Sequence, residues 1–280
     1  MPPAAEPAAT RAATPSGEPG AAPPFADWND AVARAVAALG TPGFPAAMEA
    51  ALQRLVSHQM MNGFHYAPDG RAFDLHNDRL GADRRIIVDQ YLAGTYVLDP
   101  FYDASRRPDG PSFIVMRQLA PDDFEQSEYF RLHYAATRIV DEVGFRLTLD
   151  AGHVGILSLC RIGDALQFSP GELARLEAAA GLVRALGERH WRGLPTAAAD
   201  GAKAGAPRRI EHPALTNREL EVVTLILKGH STQSIAAVLS LSPDTVKVHR
   251  RRIYAKLRIS SQGELFRTFL TDPLISAGPR

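Results

Sequence analysis

"SLSPDTVKVHRRRIYAKLR", Ser240 to Arg258, carries Lys247, Arg250, Arg251, Arg252, Lys256 and Arg258, and after Asp244 it holds no acidic residue. The chain around it is neutral: 280 residues with 31 Lys+Arg and 31 Asp+Glu. Ser242 is a hydroxyl N-cap and Pro243 suits the first helical position, so a helix starts here. On a helical wheel Val246, Ile253 and Leu257 form a narrow apolar stripe, with His249 on its edge. Val248, Arg251, Arg252 and Ala255 point away from that stripe, with Lys247 and Arg258 on one flank. The stretch therefore reads as a helix that packs along one seam and offers cations on its back.

Its neighbours are helical too. In "LTNRELEVVTLILKG" Thr216 stands three residues before Glu219, the spacing of a capping box, and Gly229 is placed to end the helix. "STQSIAAVLSL" reads as a short helix buried through Ile235, Val238 and Leu239. "QGELFRTFL" puts Leu265, Phe266, Phe269 and Leu270 on one side of a fourth helix. A short helix, a tight turn and a second helix with a basic outer face make a helix-turn-helix, whose second helix fits the major groove. Lysines and arginines there neutralise phosphates and release counterions. Charge along the chain agrees: from Arg208 onward there are 12 basic and 6 acidic residues, against 19 and 25 before it. Such asymmetry points to a polyanion-binding part.

Leu215 to Phe266 resembles the LuxR-type, or GerE-like, DNA-binding domain. The matching residues are "LTNRELEV", Gly229, Ser231, "IAAVLSLS", "TVKVH", Ile253, "KL" and Ile259; Ser234 departs from the glutamate common in the family. The resemblance implies a four-helix domain that binds double-stranded DNA as a homodimer and works with RNA polymerase, more often as an activator. It implies that Lys247, Val248 and Arg251 meet the groove and that Thr245, Arg250 and Arg252 lie near phosphates. It also implies a dimer contact through Leu265, Phe266, Phe269 and Leu270.

The remainder divides by composition. Residues 1–24 are Pro/Ala-rich with almost nothing to bury and read as a disordered tail. Residues 193–209, "GLPTAAADGAKAGAPRR", read as a linker. Between them, residues 25–192 mix helical periods with strands at "SHQMMNGFHY", "PSFIVMRQL", "VGFRLTL" and "HVGILSLCRI". In "VGFRLTL" Val143, Phe145, Leu147 and Leu149 face one way and Arg146 and Thr148 the other, the pattern of a half-buried strand. Ser169 and Pro170 open a long last helix. The expected architecture is an α+β sensor domain, PAS- or GAF-like in element order, followed by the all-α helix-turn-helix domain at 210–280.

What this domain senses is less legible. A phosphoreceiver is disfavoured, because residues 1–207 contain a single lysine, Lys203, inside the linker. "YLAGTYVLDPFYD" faintly resembles the autoinducer-binding domain of quorum-sensing regulators, in which a Tyr and an Asp-Pro pair help hold a lactone. Tyr91, Asp99 and Pro100 approximate that pattern, one residue short, with Ile87 and roughly Ile114 where tryptophans are usual. Tyr91, Tyr96, Asp99 and Tyr102 are the candidate ligand residues, with ordinary core aromatics as the alternative. His58, His65 and His76 lack metal-ligand spacing, Cys160 reads as a buried thiol, and no catalytic motif is present. The expectation is therefore a transcription regulator with no cofactor, no metal, no catalysis and no membrane span, working in the cytoplasm. Its sensor would take a small molecule or a partner protein. The alternatives are an interaction module that does not bind DNA, or an enzyme with an appended DNA-binding domain.

Overall fold

A computed structural model of the chain describes residues 25–78, 84–193 and 210–270. The expected tail (1–24), the expected linker apart from Gly193, and residues 271–280 lie outside the described residues.

Helices α1 (Phe25–Ala37) and α2 (Phe44–Leu55) come first. A hairpin of β1 (Met60–Tyr66) and β2 (Ala72–His76) follows. The wide helical segment α3 (Arg85–Gln90) runs on through Tyr91–Ala93 into a 3-10 turn, Thr95–Leu98. Asp99 then caps α4 (Pro100–Ser105), its carboxylate accepting from the Phe101 amide at 2.8 Å. Next come β3 (Phe113–Val115), the short α5 (Met116–Leu119), a 3-10 turn at Phe124–Gln126 and α6 (Phe130–Ala135). A second hairpin joins β4 (Ile139–Thr148) to β5 (Val154–Ile162), and α7 (Pro170–His190) closes this part. Ser169 caps α7 as its sequence implies, and Glu172 returns the bond to complete a capping box. The long last helix opened by Ser169 and Pro170, and strands within all four segments named from the sequence, are as expected.

The five strands form one antiparallel sheet in the order β2-β1-β5-β4-β3. Alternation along each strand sends side chains to two different cores. Met61, Val143, Phe145, Leu147, Leu157 and Leu159 meet Phe44, Met48 and Leu52 of α2 and Leu176, Ala180 and Val183 of α7. Met60, Phe64, Tyr66, Ile156 and Cys160 face the other way, onto α3, α4 and α6. β4 therefore differs from the half-buried strand of the sequence reading. Val143, Phe145 and Leu147 are buried and Thr148 is exposed as expected, yet Glu142 and Gly144 on the opposite face are buried too. A second helical layer covers that face. A Cβ at Gly144 would stand 3.2 Å from the Phe101 ring and 3.1 Å from an Ile156 methyl, so a side chain there would have to push them aside.

After the undescribed interval come α8 (Asn217–Lys228), α9 (Thr232–Leu239), α10 (Pro243–Leu257) and α11 (Gln262–Leu270). The capping box of α8 forms through Thr216 and Glu219, and Gly229 ends the helix at φ +91°, a conformation in which glycine carries no Cβ penalty. Leu215, Val222, Val223, Ile226, Ile235, Val246, Ile253 and Leu265 are all buried. Val238 departs from expectation at 57% exposed. The short α9 buries Ile235 and Ala236, and Val238 lies well round the helix from the line between them. The apolar cluster of these helices is continuous with the α3–α6 side of the sheet.

Candidate nucleic-acid interface and buried tyrosine cluster

Ser242 fixes the start of α10, its hydroxyl accepting from the Thr245 amide at 3.1 Å. Val246 and Ile253 are fully buried, and Leu257 is half-buried. That seam rotates Lys247, Val248, Arg251 and Arg252 into solvent, while Thr245, His249 and Arg250 are intermediate. Val248, a large apolar residue 40% exposed, sits among these cations. Among the described residues Arg250, Arg251 and Arg252 have no acidic partner, and Lys247 has only the exposed Asp244 at 3.0 Å. Unneutralised guanidinium groups on the outer face of the second helix suit phosphate and base-edge contacts.

Lys256 has a different role from its neighbours. Its ammonium donates to Glu219 Oε2 at 2.7 Å, and the same carboxylate oxygen accepts from the Thr216 amide and hydroxyl. One acid thus caps α8 and ties α10 across it. Burial pushes the Glu219 carboxyl up, but Lys256 and the Thr216 bonds outweigh this and hold it below the usual carboxylate range. Of the six cations in the opening stretch, Lys256 serves the domain's own packing. At the departure from the family pattern, the Ser234 hydroxyl lies 2.8 Å from His230 Nδ1, and its amide is capped by Ser231 at 3.1 Å.

The fourth helix distributes its apolar residues three ways. Leu265 lies in the domain core, Phe269 is half-buried with its ring 5.9 Å from that of His212, and Phe266 and Leu270 line a 220 Å³ cavity with Ile86, Tyr129, Leu132 and His133 of the sheet-bearing part.

On the inner face of the sheet, the four candidate ligand residues lie close together. Tyr91 donates to Asp99 Oδ2 at 2.6 Å, and Tyr66 Oη lies 2.6 Å from Tyr91 Oη. Tyr96 and Tyr102 both donate to the Gly70 carbonyl, at 2.9 and 3.4 Å. The sequence reading did not single out Tyr66, Tyr129, Tyr134 or Glu142, which complete the cluster. Tyr134 donates to Glu142 Oε2 at 2.5 Å, and the Tyr129 ring stacks on His133. Burial, and then the nearby Glu142 charge, push Asp99 up to about 7. Burial likewise raises Glu142, and it lowers His133 to about 4, so the ring stays neutral at physiological pH. A cleft of about 510 Å³ opens beside Glu142 and Tyr134, walled by Phe124, Phe130 and Ile139. Cys160 is buried on this face. Among the described residues no group of three His, Cys, Asp or Glu gathers to hold a metal, and no helix is long and apolar enough to cross a membrane.

A helix-turn-helix with an exposed basic face, joined to an α+β domain with a buried polar interior, defines a DNA-binding transcription regulator. Residues 213–269 match the family described as "Bacterial regulatory proteins, luxR family". The HTH-type transcriptional regulator in exeN 3'region of Aeromonas salmonicida is 34% identical over 190 residues, covering 64% of this chain and 96% of that one. The chain belongs to the luxR family of bacterial regulatory proteins. The response regulator GacA of Pseudomonas aeruginosa is 40% identical over 65 residues, but this spans 22% of the present chain and 30% of GacA. Among solved structures, the VqsR LBD domain from Pseudomonas aeruginosa superposes with a TM-score of 0.51 at 22% identity, over 58% of this chain and 95% of that one. Within the broader α+β expectation, that fold describes the sheet-bearing part more closely than PAS or GAF does.

Proposed function

We propose that the chain acts as a homodimeric regulator in the cytoplasm, without catalysis, divided into a sensor at 25–192 and a DNA-binding domain at 210–280. In this reading Lys247, Val248 and Arg251 meet base edges and Thr245, Arg250 and Arg252 meet phosphates. Phe266, Phe269 and Leu270 supply the contact between copies in the DNA-bound state, without the expected Leu265, which is buried in the domain core, and RNA polymerase is the downstream partner. A small molecule is the effector, entering by the cleft beside Glu142 and reaching the Tyr91, Tyr96, Asp99 and Tyr102 cluster. The observation that carries DNA binding is the row of arginines on α10 without acidic partners. Selection of duplexes from a random pool by the full chain tests it, followed by affinity measured against salt. Recovery of a two-fold repeated sequence, with affinity falling steeply as salt rises, is expected. Recovery of no preferred sequence, with salt-independent binding, would favour an interaction module. Thermal-shift screening of lactones and other small amphiphiles tests the effector. It fails if ligands that shift the native chain shift Asp99→Asn equally.

A further inference from the structure

The helix-turn-helix is fastened to the sheet-bearing part by a set of polar contacts around the turn between α8 and α9. Lys228, at the end of α8, donates to both oxygens of Asp103 at 2.7 and 2.6 Å. The Ser231 amide, at the N-cap of α9, donates to Asp122 Oδ1 at 2.9 Å. The Asp123 amide donates to the Gly229 carbonyl at 2.9 Å. The backbones meet so closely that a Cβ at Gly229 would stand 2.8 Å from Phe124 Cα.

Both charged contacts have the same polarity. The helix-turn-helix supplies a cation and the positive end of a helix, and the sheet-bearing part supplies two carboxylates. In a docked helix-turn-helix the helix before the recognition helix crosses the sugar-phosphate backbone. An ammonium and amides at a helix start are groups that phosphates commonly occupy. The outer face of α10 stays open, so what the sheet-bearing part covers is this neighbouring, sequence-independent edge.

We infer that Asp103 and Asp122 form an internal latch in which two carboxylates occupy the positions of DNA phosphates on Lys228 and the start of α9, so that the chain's own acids compete with DNA for the helix-turn-helix. This rests on the DNA-binding reading. Pro121 to Gln126, which carries Asp122, is also a wall of the 510 Å³ cleft beside Glu142. An occupant of that cleft bears directly on the latch.

The test is affinity of the full chain for a random-sequence duplex, at fixed salt, for Asp103→Asn, Asp122→Asn, the double variant and Asp164→Asn. Asp164 is a fully exposed acid that, among the described residues, pairs with Arg138 alone, so its variant removes one charge and leaves the latch intact. Roughly threefold tighter binding is expected for each latch variant and about tenfold for the double, from the usual strength of such pairs. Asp164→Asn should change little. Equal effects in all three single variants would reduce the latch to net charge, and unchanged or weaker binding in the double would overturn it. Circular dichroism and thermal melting of each variant separate loss of fold from loss of competition. If neither the native chain nor any variant binds duplex DNA, the DNA-binding reading falls and the latch with it. If the native chain binds and the variants do not tighten, only the latch falls.

Discussion

Arg251 and Arg252 are adjacent, yet they point in different directions around α10. Both are exposed on α10. Arg251 lies on the outward line opposite Val246 and Ile253 and Arg252 lies further round; in the proposed reading the first direction meets base edges and the second the groove wall. A bidentate Arg–guanine contact contributes about 1–3 kcal/mol of discrimination. Arg251→Ala should weaken specific binding and relax preference at one base position of each half-site. Arg252→Ala should weaken specific and random duplexes alike and lower the salt slope by about one. Affinities for both duplexes over a salt series check this; the reverse pattern would exchange the two assignments. Asp99 makes a second prediction. Its folded pKa, about 7, lies above that of an unfolded aspartate. The folded chain therefore holds the proton more tightly, and this contribution to stability is full at low pH and lost as pH rises through about 7. His58, His65 and His133 act in the opposite sense, since each is lowered to about 4 by burial and must gain a proton on unfolding in mild acid. The Asp99 part is isolated by comparison: melting temperatures of the native chain and Asp99→Asn should diverge in the variant's favour as pH rises from about 5 to about 7, and the difference should level off above that. A constant difference across that range would refute the assignment.

At the scale of elements, α8 and α10 are joined by a single acid. Glu219 caps one helix and accepts from Lys256 on the other. Glu219→Ala removes the capping bond and leaves a lysine without its partner, so a loss of about 1–3 kcal/mol is expected in denaturant unfolding. Lys256→Met keeps the cap and the aliphatic packing and should cost less. A larger loss from Lys256→Met would show that the bridge matters more than the cap. These helices were legible in the sequence because their signals are local. Thr216 with Glu219, Gly229, Ser242 with Pro243, and the Val246–Ile253 seam each lie within one or two turns. Val238 misled because an eight-residue helix buries few positions, and spacing alone could not choose among them. The buried polar interior of the sheet-bearing part was legible only where its residues are close in sequence. Tyr91, Tyr96, Asp99 and Tyr102 fall within one stretch, whereas Tyr66, Tyr134 and Glu142 come from β1, α6 and β4. One local signal for Glu142 was present: an acid on the Gly144 face of an otherwise apolar strand, where burial demands a donor such as Tyr134.

For the whole molecule, the continuous apolar cluster and the contacts at Asp103, Asp122 and Gly229 make the two parts pack against one another. Their mutual arrangement was not legible, because no local pattern specifies which acids meet Lys228 or Ser231. The proposed division predicts that limited proteolysis cuts first within 194–209 and yields two folded pieces. First cleavage inside residues 84–193 would argue against the boundary. The latch adds that pieces so produced should stay associated at low salt and separate on a sizing column as salt rises.

The pairing of β1 with β5 sets a clock on synthesis. Met60 pairs with Cys160 and Tyr66 with Val154, so β1 cannot be completed until most of the sheet-bearing part has been translated. At about 5–20 residues per second, the β1–β2 hairpin waits on the order of 5–20 s with its inner edge open. The segment that waits, "MMNGFHY", is buried along its whole length in the finished fold. An unpaired apolar edge of this kind recruits other strands. Slower translation of residues 67–153 should therefore raise the insoluble fraction of newly made protein. Faster translation, or a chaperone that shields β1 until β5 arrives, should lower it.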